Sequence, residues 1–217
     1  MDNQAGARQP YRIVTPPSGA TMACKRAFDI LCSFLGLTVL SPVLLVVSVL
    51  VAVTSPGGVF FRQERVGKDG KPFRIFKFRS MRKDNAGLKI TTGNDSRITP
   101  VGRFLRKSKI DELPQLINVL VGDMSFVGPR PEVADYVNLY TPYQRQVLLV
   151  RPGITGLASI RFRNENDLLT ASDDPNRTYV EQIMPRKIDL DLEYIPHASV
   201  FYDIKLIFQT FAVVIKE

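Results

Sequence analysis

The chain has 217 residues, is 45% hydrophobic and 23% charged, and carries a formal net charge of +8. Those proportions exclude a disordered polymer and suit one folded domain, or one domain plus an anchor. Two cysteines and a single histidine exclude a disulfide scaffold, a Ser-His-Asp triad and a His-rich metal centre, and fit a reducing compartment.

The charge is concentrated. Residues 62–109 hold 15 Lys/Arg against four acids, a net of +11, and the rest of the chain sums to −3. A field of that size suits a polyanion: nucleic acid, anionic lipid or a phosphorylated substrate.

Residues 1–22 are polar, contain Pro10, Pro16 and Pro17, and read as a flexible leader. From Ala27 to Val53 the chain is almost wholly apolar, with Asp29 its only charge. Those 27 residues exceed the ~20 needed to cross a bilayer. Two features favour a re-entrant anchor over residues 23–55 against a straight span. Ser41-Pro42 falls mid-run, where proline breaks the hydrogen-bond ladder. Basic residues also flank both ends: Lys25 and Arg26 before, Arg62, Arg65, Lys68 and Lys71 after. The positive-inside tendency then holds both ends on one side. Residues 56–217 are left as the folded domain.

Val59 to Val66 and Pro72 to Met81, joined by Gly67-Lys-Asp-Gly70, predict a β-hairpin. Alternation in Phe76-Lys77-Phe78-Arg79 lets one face pack while Lys77 and Arg79 stand on the other. Residues 84–97 are loop-like. Thr99-Pro100 starts a short helix, with Thr as N-cap and Pro in the first turn. It leads into Arg106-Lys-Ser-Lys-Ile-Asp111-Glu112-Leu-Pro114. The proline places a second helix start there, with Asp111 near its N-cap, an apolar stripe of Leu113, Leu116, Ile117 and Leu120, and Gly122 as the stop. Asp111 is then either a plain cap, perhaps boxed with Ser108, or a reactive carboxylate.

Pro129 and Pro131 bracket Arg130 in a rigid loop suited to ligand contact. Arg151-Pro-Gly-Ile-Thr-Gly156 is a second Gly/Pro loop that could cradle a phosphate, without the spacing of a P-loop. Residues 161–178 are polar and turn-rich and read as a variable loop. Asp189-Leu-Asp191 is either a metal-binding acid pair or a solvated acidic edge, since its neighbours alternate with period two. Ser199 to Ile215 is helical and apolar on most sides, to be packed on the core or laid in the membrane interface.

An ionised acid at a helix start, many arginines and a membrane anchor suit phosphoryl transfer, whose catalysis is mostly positioning and charge neutralisation. A carboxylate with an ordinary pKa of ~3.9 needs no activating base. Its target phosphorus must be shielded by cations, for which Arg79, Arg106 or Mg²⁺ are candidates.

Lys77-Phe-Arg79-Ser-Met81, Asp111-Glu112-Leu-Pro-Gln115, Gly122-Asp-Met-Ser-Phe-Val-Gly-Pro-Arg-Pro131 and Arg151-Pro-Gly-Ile-Thr-Gly156, in that order behind a Ser-Pro-broken anchor, resemble the bacterial sugar transferases, or monotopic phosphoglycosyl transferases. The resemblance runs from about Lys25 to the C-terminus and is closest to the small form without extra N-terminal spans. It implies a helix-rich α+β catalytic domain with a small β-hairpin, on the cytoplasmic face of the bacterial inner membrane. It implies transfer of a sugar-phosphate from a UDP-sugar to a polyprenol phosphate, with UMP released. By motif match Asp111 is the nucleophile and lies by Mg²⁺, Glu112 is its partner acid, Arg106 holds phosphate, and Pro129, Arg130 and Pro131 serve the uridine side. Lys77, Arg79 and Arg151 belong to the matched motifs as substrate-binding residues, Asp191 matches an acid before a Tyr-Ile pair, and Ser41-Pro42 matches the membrane-helix break.

Two other readings stand beside this one. A tethered module could grip anionic lipid or nucleic acid, but no nucleic-acid motif is present and none is expected as partner. An enzyme moving the bare sugar would use Asp189 and Asp191 and release UDP. Sugar identity, pathway and oligomeric state are not legible, and the 161–178 loop is the expected seat of sugar choice.

Overall fold

The computed structural model describes residues 13–55, 57–82 and 97–215. Helix α1 (Gly19–Thr54) opens it, with the Ser18 side chain accepting from the Thr21 N–H as N-cap. A hairpin follows, β1 (Phe60–Val66) and β2 (Pro72–Phe78), antiparallel and in register from Phe60↔Phe78 to Val66↔Pro72. Its turn needs left-handed backbone at Asp69 (φ 57°) and Gly70 (φ 74°), which the Asp-Gly sequence tolerates. Helices α2 (Pro100–Lys107) and α3 (Gln115–Val121) come next. Strands β3 (Ser125–Val127) and β4 (Gly153–Thr155) form a parallel pair, with α4 (Ala134–Val137) between them in sequence. Short helices α5 (Leu157–Arg161), α6 (Glu165–Thr170) and α7 (Pro175–Thr178) lead through a π-helical stretch, Tyr179–Ile183, into α8 (Met184–Tyr194) and finally α9 (Val200–Ile215). The fold is thus helix-rich α+β with two small sheets. The main core gathers Val127, Ile188, Leu192, Tyr194, Ile195 and Leu206, from β3, α8, the 3₁₀ turn after it and α9.

The expected helix–break–helix is not seen: α1 runs as one helix through Pro42. Proline removes the N–H that would bond the Thr38 carbonyl. The Ser41 hydroxyl donates to that same carbonyl at 2.8 Å, so the lost bond is replaced one residue earlier. The flexible-leader expectation also changes. Val14 is buried, its N–H donates to Gln146 Oε1 at 2.7 Å, and α1 already begins at Gly19. Residues 1–12 lie outside the described residues, as does most of the expected 84–97 loop. The stretch 161–178 is not a plain loop but carries α6 and α7.

Among the described residues α1 is the one helix long and apolar enough to cross a membrane. A straight helix of its 36 residues would be about 54 Å long. It nevertheless rests on the domain at three places. At its start, Lys25 donates to Val127 O at 3.0 Å and pairs with Asp203, while Asp29 accepts from the Phe126 N–H at 3.1 Å. In the middle, Gly36 sits against Leu116, where an added Cβ would be 3.3 Å away. Near its end, Val47 and Val51 are buried with Phe78 of β2 and Leu105 of α2. Between these, Leu31, Phe34, Val39, Leu45, Val46 and Val53 stay exposed. On α9 Phe201, Phe208 and Phe211 are likewise exposed.

The Lys25–Asp203 pair is fully enclosed, and Tyr194 OH also donates to Asp203 at 2.6 Å. Removing one partner of a buried pair leaves an uncompensated charge. Asp203→Ala is therefore expected to lower stability by about 3–5 kcal/mol, and Lys25→Met/Asp203→Leu to restore much of it. Thermal unfolding in detergent micelles measures both.

Candidate active site

Helix α2 is set by its Thr99 cap, whose hydroxyl accepts from the Gly102 N–H at 2.9 Å. Only glycine fits at 102, since a Cβ there would lie 1.9 Å from Ser80 O. This packs α2 against the strand end, with Arg106 Nη1 3.6 Å from Met81 Sδ. The chain then turns through Lys109, held left-handed at φ 57°, a strained conformation for a non-glycine residue. A single 3₁₀ turn follows, Ile110–Glu112, and Pro114 leads into α3.

In a 3₁₀ turn neighbouring side chains point about 120° apart, so the two acids meet different surroundings. Glu112 Oε1 is gripped by Lys77 Nζ of β2 at 2.7 Å and by Arg130 Nη2 of the loop after β3 at 2.8 Å. Burial pushes its pKa up, but the Arg130 and Lys77 charges and hydrogen bonds outweigh burial and hold it well below the usual carboxylate range. Asp111 is buried, and its Oδ1 has no hydrogen-bond partner among the described residues. Burial and the adjacent Glu112 charge raise its pKa, against the pull of Lys77, Arg106 and Lys109. This differs from an ordinary, freely ionised aspartate. The cap reading also fails, since Ser108 Oγ donates back to Phe104 O and the residue before α3 is Pro114.

Glu112 and Arg130 line a cavity of about 690 Å³. One wall is apolar, from Phe28 and Cys32 of α1 and Ile207, Phe208 and Phe211 of α9. The other is polar, with Lys109, Glu165 and Lys187. Glu112 is in this lining and Asp111, next to it in the turn, is not.

The other expected site residues are dispersed. Arg79 donates to the carbonyls of Gly57, Gly58 and Phe60 and fastens the hairpin to the end of α1, away from the acids. Arg151 Nε donates to Gly122 O, and Arg26 to Val119 O and Leu120 O, so two arginines serve the carbonyl end of α3. In the 151–156 loop the glycines serve close backbone packing. A Cβ on Gly153 would lie 2.1 Å from Gly128 N, and one on Gly156 2.4 Å from Gly128 O. Its glycines permit backbone contact that holds the Pro129–Pro131 loop, with Gly153 N–H donating to Pro129 O at 2.9 Å. Pro131 O accepts from Arg65 at 3.3 Å.

Asp189 and Asp191 lie on helix α8, not on a strand, and face apart: Asp189 is exposed and Asp191 buried. The acid pair for metal is therefore not assembled. Asp191 Oδ1 has no partner among the described residues, and burial pushes its carboxyl up to about 8 against the nearby Lys187. Sequence reasoning missed Glu165 and Lys187, paired at 2.7 Å in the cavity wall. Twenty-one residues separate them, with no helical spacing to signal it.

Among the described residues no three His, Cys, Asp or Glu side chains cluster to hold a metal. The unpartnered Asp111 Oδ1 still suits Mg²⁺, which commonly takes one or two carboxylates and completes its shell with substrate phosphates and water.

Residues 20–217 match the sequence model of the family described as bacterial sugar transferase. The chain belongs to this family. It is 44% identical over 202 residues to the UDP-glucose:undecaprenyl-phosphate glucose-1-phosphate transferase of Escherichia coli (strain K12), covering 90% of this chain and 41% of that protein. It is 39% identical over 199 residues to a UDP-N-acetylgalactosamine-undecaprenyl-phosphate N-acetylgalactosaminephosphotransferase of Aeromonas hydrophila, covering 89% and 44%. It is 41% identical over 199 residues to the exopolysaccharide production protein PSS of Rhizobium leguminosarum bv. phaseoli, covering 87% and 94%. The chain spans about two fifths of the length of the first two family members.

The two adjacent acids act on stability with opposite sign. A carboxyl raised in the folded state binds protons more readily there, so it destabilises the fold above its folded pKa, and the effect fades as pH falls through that value. Glu112, lowered, stabilises above the unfolded pKa and loses this only in strong acid. At pH 7 Asp111→Asn is expected to unfold at the wild-type temperature or higher, with the difference shrinking toward pH 4. Glu112→Gln is expected to unfold several degrees lower. Thermal melts across that pH range check both.

Proposed function

We propose that the protein transfers a sugar-1-phosphate from a UDP-sugar to a polyprenol phosphate, with a covalent aspartyl intermediate on Asp111. The observation that carries this reading is a buried carboxylate with one oxygen unpartnered, beside an acid already neutralised by Lys77 and Arg130. Family membership and the named activities of the relatives point the same way.

In the first half-reaction an Asp111 oxygen bonds the β-phosphorus. The bond from that phosphorus to the bridging oxygen breaks, its electron pair leaves with UMP, and sugar-phosphate stays on Asp111. In the second, a phosphate oxygen of the polyprenol phosphate bonds the same phosphorus and the Asp111 carboxylate departs. Lys109 and Arg106 lie close enough to Asp111 to favour its charged form and to meet the diphosphate. Lys77 and Arg130 hold Glu112, so its charge does not repel the incoming anion. Mg²⁺ held by Asp111 would supply further neutralisation of the diphosphate. A raised nucleophile pKa gives a carboxylate that is more basic once ionised, and activity should fall on the acid side at a higher pH than an ordinary aspartate would set.

The apolar cavity wall from α1 and α9 suits the polyprenol chain. We place the protein monotopically at the cytoplasmic face of the inner membrane, with α1 entering one leaflet and its basic flanks meeting anionic lipid. A straight span would carry one end of α1 through about 30 Å of hydrocarbon, away from the domain. Contacts of Lys25, Asp29, Val47 and Val51 with that one domain support the re-entrant placement.

The deciding assay offers a panel of UDP-sugars with undecaprenyl phosphate and identifies the nucleotide product. UMP is expected, lost at least a thousandfold in Asp111→Asn. UDP as product, or normal turnover by that variant, would end the reading. Topology is read separately. Single cysteines at Ile13 and Lys68, in a chain lacking Cys24 and Cys32, should label from the same side of sealed vesicles; opposite sides mean a span.

A further inference from the structure

Besides Glu112, Glu165 is the one carboxylate among the described residues lining the cavity. It opens α6, and its Oε2 accepts from Lys187 Nζ at 2.7 Å. Lys187 is itself fixed. Its side chain is 9% exposed, and its Nζ lies 5.2 Å from the Tyr179 ring centroid. Tyr179 OH in turn donates to Glu132, next to the Pro129–Pro131 loop. Tyr179 begins the π-helical stretch before α8, a wound irregularity that proteins keep mainly at functional sites. Glu165 is thus held from beneath with one oxygen left over. Asn166 lines the same cavity, and its side-chain amide makes no hydrogen bond among the described residues.

A carboxylate and an amide with unused capacity do not suit the diphosphate, which Glu165 repels. Nor do they need a cation, because Lys187 already neutralises the acid. They suit a neutral group rich in hydroxyls, which a carboxylate and an amide oxygen accept from. The cavity is continuous with the apolar wall of α1 and α9, where we place the lipid acceptor, so a group bound here lies beside that acceptor as it reacts. UMP has left by then, and the sugar has not. We infer that Glu165 and Asn166 read the hydroxyl pattern of the transferred sugar and set which UDP-sugar is used. This rests on the proposed function above and narrows sugar choice from the whole of 161–178 to the turn entering α6.

The test compares kcat/KM for UDP-glucose, UDP-galactose, UDP-N-acetylglucosamine and UDP-N-acetylgalactosamine, with undecaprenyl phosphate as acceptor, in wild type, Glu165→Gln and Asn166→Ala. Asn166 has no ion pair to lose, so its variant stays informative if Glu165→Gln, which strands Lys187, fails to fold. The preference between the best sugar and its epimer is expected to shift at least tenfold in Asn166→Ala, and in Glu165→Gln where it folds. Preference ratios within twofold of wild type, whether rates are unchanged or fall equally for every sugar, would overturn the inference; an equal fall marks a structural or ribose contact. Wild type that releases no UMP from any of the four overturns the proposed function instead.

Discussion

The site depends on how one acid is neutralised so that its neighbour can be left bare. Glu112 draws Lys77 from the hairpin and Arg130 from the loop after β3 onto a single oxygen. Two adjacent buried carboxylates would otherwise repel each other, and one would take up a proton. With Glu112 kept ionised by cations from two distant segments, the unpartnered charge falls on Asp111. The 3₁₀ turn and the left-handed Lys109 keep the two side chains apart. A buried oxygen without a partner is unfavourable in a resting fold, and proteins keep such features where a substrate relieves them.

The second constraint is the single long helix. Many of its apolar side chains are exposed, yet its two ends and its middle are tied to one domain by Lys25, Gly36 and Val51. That brings apolar residues of α1 and the acid turn into the lining of one cavity.

The sequence was most legible where signals are local. Thr99-Pro100 marked the start of α2, and Gly67–Gly70 marked the hairpin turn, because cap and turn chemistry act within a few residues. Ser41-Pro42 was visible, but not how its hydroxyl would act. A hydroxyl can replace the missing amide, and whether it does depends on its rotamer. Arg79 and Arg151 looked like phosphate ligands, yet both serve backbone carbonyls that only the fold brings near. Alternation in Asp189–Glu193 suggested an edge, although Lys187 and Asp191 are also spaced four apart, one helical turn. The β3–β4 pair is three residues per strand and far apart in sequence, below what pattern can show. Lys77, Glu112 and Arg130 were each picked out, but their convergence on one oxygen came from tertiary packing.

The central claim is that Asp111 forms a bond rather than merely sitting in a charged turn. It is tested most directly by mixing the purified protein with a UDP-sugar it turns over, in the absence of lipid acceptor, quenching in acid and mapping peptides by mass spectrometry. The account predicts a sugar-phosphate mass on the peptide containing Asp111, discharged when polyprenol phosphate is added before the quench. An unmodified Asp111 peptide under conditions where nucleotide is released, or an adduct on another residue, would contradict it.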